Sequence, residues 1–172
     1  MKHLPTLAAT AIAVVIAGAG YLALGSSSSS SSSTAAPVVA YTLLDGTAAS
    51  TEQFRGKVVL VNFWATSCTT CVQEMPQIAA THDKYKAAGY DTLAVAMRYD
   101  PPALVVRFAE ARKLPFGVAI DNTGAIARSF GDVQATPTSV LIDKHGQIVK
   151  RYVGEPDFVE LHRLVEKLLA QA

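Results

Sequence analysis

"VVLVNFWATSCTTCVQEMP", Val58 to Pro76, decides how the rest of the chain is read. Val58 to Phe63 is a largely apolar run rich in β-branched valine, the composition of a strand buried within a parallel sheet. From Val72 the pattern turns helical, "VQEMPQIAATHDKYKAAG", and Gly89 supplies a C-terminal stop. Between strand and helix stand Cys68 and Cys71, the only two cysteines in 172 residues. A Cys-x-x-Cys pair in that position reads as a site where a disulfide is made and broken.

The chemistry follows from the position. At a helix N-terminus the unpaired backbone N–H groups and the macrodipole favour an anion, so the Cys68 thiol is expected to ionise more readily than usual. A cysteine with a pKa near 8.5 is only about 3 % thiolate at pH 7, and one near 7 is about half thiolate. The thiolate is the attacking species, which makes Cys68 the expected nucleophile and Cys71, a turn further in, the resolving thiol. Two other uses of a cysteine pair compete. A structural zinc site needs four ligands, and beyond the leader the histidines (His82, His145, His162) are scattered without ligand spacing, so no metal is expected. A permanent disulfide across so small a loop would remove little chain entropy.

Outward from this centre, "TLAVAMRY" (Thr92–Tyr99) reads as a second strand, so Met97 and Tyr99 are expected in its core or at its edge. Pro101 and Pro102 open a helix to about Lys113, with Leu104, Val105, Phe108 and Ala111 on one face. Gly117–Ile120 is a short strand and Gly124–Phe130 a short helix. Thr138–Asp143 and Gln147–Gly154 form a hairpin through "KHG", which makes His145 a turn residue. A last helix begins at Pro156, with Phe158, Leu161, Leu164, Val165 and Leu168 at helical spacing. Alternating strands and helices followed by a terminal hairpin predict an α/β fold, a mixed central sheet flanked by helices on both faces. Trp64 and Phe63 are expected to pack in the core, and His82 to be a solvated helix residue.

The N-terminus has a different character. Lys2 and His3 precede Leu7–Leu24, 18 residues without a charge. As a helix this segment would span about 27 Å, near the hydrocarbon thickness of a bilayer. The apolar core of a cleaved signal is shorter, about 7–15 residues, so an uncleaved anchor fits better. The small residues at Ala23-Leu24-Gly25 keep cleavage, and a soluble product, as the alternative. Lys2 favours an N-in, C-out orientation. Eight serines, Ser26 to Ser33, then "TAAP" read as a flexible tether, because they cannot bury enough apolar surface to offset ordering. The expected organisation is therefore residues 1–25 as anchor or signal, 26–37 as linker and 38–172 as the folded domain. With Lys2 set aside, 14 basic residues face 14 acidic ones, which leaves no electrostatic footprint for nucleic acid.

"FRGKVVLVNFWATSCTTCVQEMP" and "ATPTSVLIDKHGQIV" together resemble the membrane-anchored thioredoxin-like proteins of the TlpA/ResA group, over about Val38 to Ala172. The resemblance implies a thioredoxin fold with an extra strand–helix unit. It implies that Pro137 is a cis-proline facing the disulfide and that the backbone of Thr136 is open to pair with an extended substrate segment. Pro76 resembles the family's helix-kinking proline. Thioredoxins proper carry a buried aspartate where Asn62 stands. The anchored subgroup commonly has asparagine there and a glutamate three residues after the second cysteine, which Glu74 matches. Glu74 shares a helix face with Cys71 and has two readings: a proton carrier for that thiol, or an acid complementing the helix dipole. Ser67 replaces the usual tryptophan beside the nucleophile and so alters the surface that meets substrate.

The function implied is a thiol–disulfide oxidoreductase on the periplasmic side of the cytoplasmic membrane, monomeric, with the Cys68–Cys71 pair as its redox group and no cofactor. The resemblance implies that it reduces target disulfides, such as those of apocytochrome c or copper-assembly factors, with electrons from a membrane thiol transporter. The alternatives are a copper-binding assembly chaperone, since copper(I) prefers thiolates, and a thiol peroxidase, whose cysteine context differs.

Overall fold

Sheet pairing starts a few residues before Val38, the expected edge of the domain. The computed structural model describes residues 34–171, so the apolar segment Leu7–Leu24 and the serine tract lie outside the described residues. In chain order the strands are β1 (Thr34–Ala35), β2 (Ala40–Thr42), β3 (Ala48–Ser50), β4 (Val58–Trp64), β5 (Tyr90–Ala96), β6 (Gly117–Ile120), β7 (Thr138–Ile142) and β8 (Gln147–Val153). The helices are α1 (Thr69–Tyr85), α2 (Pro102–Arg112), α3 (Ala125–Ser129) and α4 (Phe158–Leu169). Six strands form one mixed sheet in the order β1-β8-β7-β4-β5-β6, with β4, β5 and β6 parallel and β7 antiparallel to β4.

All seven residues of β4 are buried, because the strand is central and covered on both faces. The period of two along a strand then divides them. Val59, Val61 and Phe63 pack with Val95, Val140, Ile126 and Phe130, so the short helix α3 lies on that face. Val58 and Leu60 meet Ile78 of α1 and Leu161 and Val165 of α4. Trp64 meets Cys71 and Met75 of α1 and Val105 of α2. Helices therefore cover both faces, as the alternating pattern predicts, with α1, α2 and α4 on one side. No helix among the described residues is long and apolar enough to cross a membrane.

Three details depart from the sequence reading. The second strand is Tyr90–Ala96 rather than Thr92–Tyr99, because its parallel register with β4 runs from Val58↔Tyr90 to Trp64↔Ala96 and β4 ends there. In α2 the buried contacts come from Val105, Phe108 and Ala109, while Leu104 is 48 % exposed. The β2–β3 hairpin lies outside the expected elements, although its Asp45-Gly46 turn carries a recognisable signal. Gly46 has φ +86° there, and the Asp45 carboxylate accepts the Thr47 N–H at 2.8 Å. The hairpin reaches the sheet through a bridge from Leu43 to Ala119 of β6.

Candidate functional site

The chain leaves β4 at Trp64 and makes one turn before α1, closed by the Cys68 N–H donating to the Ala65 carbonyl at 3.1 Å. That turn sets Cys68 as the N-cap of α1, with extended backbone angles. Its Sγ accepts the Cys71 N–H at 3.2 Å, so the sulfur takes the place a serine or aspartate oxygen holds in ordinary capping. The two cysteines are joined in a disulfide. Cys68 is partly exposed, whereas Cys71 is fully buried against Trp64 and Met75. The sulfur open to a partner is thus the one that the helix N-terminus favours as an anion. Its mate sits in apolar surroundings that oppose ionisation. Pro76 lies within α1 and removes the donor that would reach the Val72 carbonyl.

Strand parity places a second set of groups beside this pair. Asn62 lies on the α1 face of β4, and the antiparallel register sets Ser139 of β7 directly opposite it. The Asn62 Nδ2 donates to Glu74 Oε1 at 2.9 Å and to Ser139 Oγ at 2.9 Å. All three side chains are buried, and neither Glu74 Oε2 nor Asn62 Oδ1 has a hydrogen-bond partner. Burial pushes the Glu74 carboxyl up to about 7, partly offset by the Asn62 hydrogen bond, with the charge of Glu155 adding to the rise. Glu74 lies beyond the first turn of α1. The dipole reading is corrected accordingly: the carboxyl is too far along the helix, and too easily protonated, to serve as a first-turn anion.

The loop before β7 reaches the same end of the sheet, since Thr138 pairs with Phe63. The Thr136–Pro137 peptide bond is cis, and Pro137 is buried while Thr136 is half-buried. The Thr136 hydroxyl lies 3.3 Å from the Tyr99 hydroxyl. Ser67 is exposed in the turn immediately before Cys68. The candidate residues Cys68, Cys71, Glu74, Ser67, Thr136 and Pro137 therefore gather at one end of the central strands.

A family profile for redoxins matches residues 31–167. The thiol-disulfide oxidoreductase ResA of Bacillus thuringiensis subsp. konkukian is 36 % identical over 134 residues, covering 77 % of this chain and 76 % of that one. Among solved structures, a Neisseria meningitidis protein described as a thioredoxin superposes with a TM-score of 0.75 at 41 % identity, covering 81 % of this chain and 93 % of its own. A Chlorobium tepidum protein described as the thiol:disulfide interchange protein DsbE gives 0.74 at 30 % identity, covering 80 % and 97 %. The chain belongs to the redoxin family, among the ResA-like thiol-disulfide oxidoreductases. Its fold is thioredoxin-like, as the two sequence motifs implied.

Several residues of this redoxin differ from their sequence reading. His82 is buried, not solvated: it packs against Phe116 with ring centroids 5.5 Å apart, and burial pushes its imidazole below the ordinary value. Tyr99 lies past the end of β5, is 56 % exposed and reaches the cis-proline loop. Trp64 and Phe63, by contrast, are core residues as expected, packed on Phe108 and Phe130 at 5.0 and 5.5 Å. Sequence reasoning missed Ser139, whose place opposite Asn62 depends on the β4–β7 register. Among the described residues no group of three or more His, Cys, Asp or Glu side chains is arranged to hold a metal.

Proposed function

We propose that this redoxin reduces disulfides in exported proteins on the outer side of the cytoplasmic membrane, anchored by residues 7–24. The observation that carries the chemistry is the asymmetry of the pair. Cys68 is partly open at the helix N-terminus, and Cys71 is buried one helical turn from a carboxyl pushed up to about 7. The reduced enzyme attacks with the Cys68 thiolate on one sulfur of a target disulfide. The S–S bond breaks, a mixed disulfide forms, and the expelled target sulfur takes up a proton. The Cys71 thiol passes its proton to the Glu74 carboxylate and attacks the Cys68 sulfur. The second target sulfur leaves and is protonated. The target gains two electrons and two protons, and Cys68–Cys71 is left oxidised. Glu74, near half-ionised at neutral pH, is suited to that proton transfer.

The backbone of Thr136, preceding Pro137, pairs with the extended target segment, and Ser67 lines the approach to Cys68. The reducing direction is the one the resemblance to the TlpA/ResA group implies, and it needs a supply of electrons in an oxidising compartment, for which a membrane thiol transporter is the proposed donor. Apocytochrome c and copper-assembly factors are the proposed targets. The serine tract holds a monomeric domain near its membrane partner and raises the local concentration.

Trapping tests this directly. Cys71→Ser should accumulate mixed disulfides with envelope proteins that dissolve on reduction, and Cys68→Ser should accumulate none. A Cys71→Ser protein that captures nothing, or a Cys68→Ser protein that captures as much, contradicts the assignment.

A further inference from the structure

The turn that delivers Cys68 is clasped from the loop that follows the neighbouring strand, β5. Thr66 stands at its second position. The Thr66 N–H donates to one carboxylate oxygen of Asp100 at 2.6 Å, and the Thr66 hydroxyl donates to the other. Asp100 is only 3 % exposed, and among the described residues no ion pair involves it. A buried carboxylate is costly unless its oxygens are satisfied. Here both oxygens are spent on one residue, two positions before the nucleophile.

The backbone carrying Asp100 is itself held. The Trp64 carbonyl accepts the Met97 N–H at 2.9 Å, and the Met97 carbonyl accepts the Asp100 N–H at 2.9 Å. Pro101 and Pro102 follow and start α2, and their rings restrict the chain on the C-terminal side. The carboxylate therefore projects from a stiff corner onto Thr66 and takes both its N–H and its hydroxyl. The contact between Cys68 Sγ and the Cys71 N–H, 3.2 Å long, depends on where that turn ends.

We propose that Asp100 is a positioning residue for the redox pair: through Thr66 it fixes the turn that places the Cys68 sulfur on the N-terminus of α1. This rests on Cys68 being the attacking thiol, as proposed above. It is separable from a plain charge effect by sign. A negative charge near a thiolate raises the thiol pKa, so if charge were its only action, removing Asp100 would lower the Cys68 pKa. Loss of positioning does the reverse, because the sulfur leaves the helix N–H groups and moves toward an ordinary thiol.

The test measures the Cys68 thiol pKa by thiolate absorbance, and the rate of disulfide exchange with reduced insulin formation as readout, in the full chain. Asp100→Ala should raise the pKa and slow exchange by roughly tenfold to a hundredfold, the scale of a small misplacement of a reacting group. Asp100→Asn should recover most of that loss, since its amide oxygen accepts the Thr66 N–H and its NH2 donates to the Thr66 hydroxyl. Thr66→Val, which removes the hydroxyl contact alone, should fall between them, and it carries the test if Asp100→Ala does not fold. A folded Asp100→Ala with a lowered pKa, or with wild-type pKa and rate, overturns the proposal. So does an Asp100→Asn variant shifted as far as Asp100→Ala. Wild-type protein run in parallel separates the two layers: a wild type that cannot cycle its disulfide overturns the oxidoreductase mechanism together with the clasp, whereas an active wild type matched by Asp100→Ala overturns the clasp alone.

Discussion

A carboxyl with no solvent exposure and one oxygen unpartnered is costly to ionise, and Glu74 is such a group. Its folded pKa is raised from 4.5 to about 7, so unfolding near neutral pH releases a proton. The stability tied to this group is complete below pH 4.5, falls as pH rises toward 7, and stays lost above that. Glu74→Gln should remove that slope, gaining on wild type by about 1–3 kcal/mol above neutral pH and nothing in acid. Urea unfolding of the oxidised proteins across this range is the check; parallel wild-type and variant curves would show that the carboxyl is not held neutral. The same residue was visible in the sequence only as an i+3 neighbour of Cys71. Its burial, and hence its shifted titration, comes from the tertiary packing of α1 on the sheet, and the Asn62 hydrogen bond only partly offsets the shift.

Among the elements, strand parity and helix phase decide which side chains matter. In α1, Ile78 faces the sheet and is fully buried; in α2, Leu104 faces water although it belongs to the same apolar run as Val105. Ile78→Ala should cost about 2–5 kcal/mol, the range for deleting a buried branched side chain. Leu104→Ala should change stability by less than about 0.5 kcal/mol. Denaturant midpoints of the two variants test the assignment of faces, and similar losses from both would refute it. The α2 face is not legible in the sequence because a run such as "LVVRF" offers several phases, and only the packing of Val105 in one cluster with Trp64 and Met75 selects one. In α4 the phase was legible, since Leu161, Val165 and Leu168 recur at helical spacing and all are buried.

For the molecule as a whole, the sheet begins at Thr34, where β1 pairs with β8 through Thr34↔Ile148 and Ala35↔Gln147. A chain starting there retains every strand of the described sheet. Removing residues 1–33 should leave insulin reduction in solution within roughly twofold of the full chain, because a tether acts on local concentration and not on chemistry. The same deletion should move the protein from the membrane fraction to the soluble one. Membrane association that survives the deletion would refute the anchor.

From β4 onward, the sequence alone determined the order of strands and helices, the place of the cysteine pair between β4 and α1, and the family. These are local properties: hydrophobic period, glycine and proline positions, and the spacing of two thiols are written along the chain. Tertiary structure alone decided that Glu74 is walled in, that Tyr99 reaches Thr136 and that Asp100 grips Thr66. Each of these joins segments a dozen or more residues apart, and pairing between distant strands is set by the packing of the whole sheet, which no short window of sequence contains.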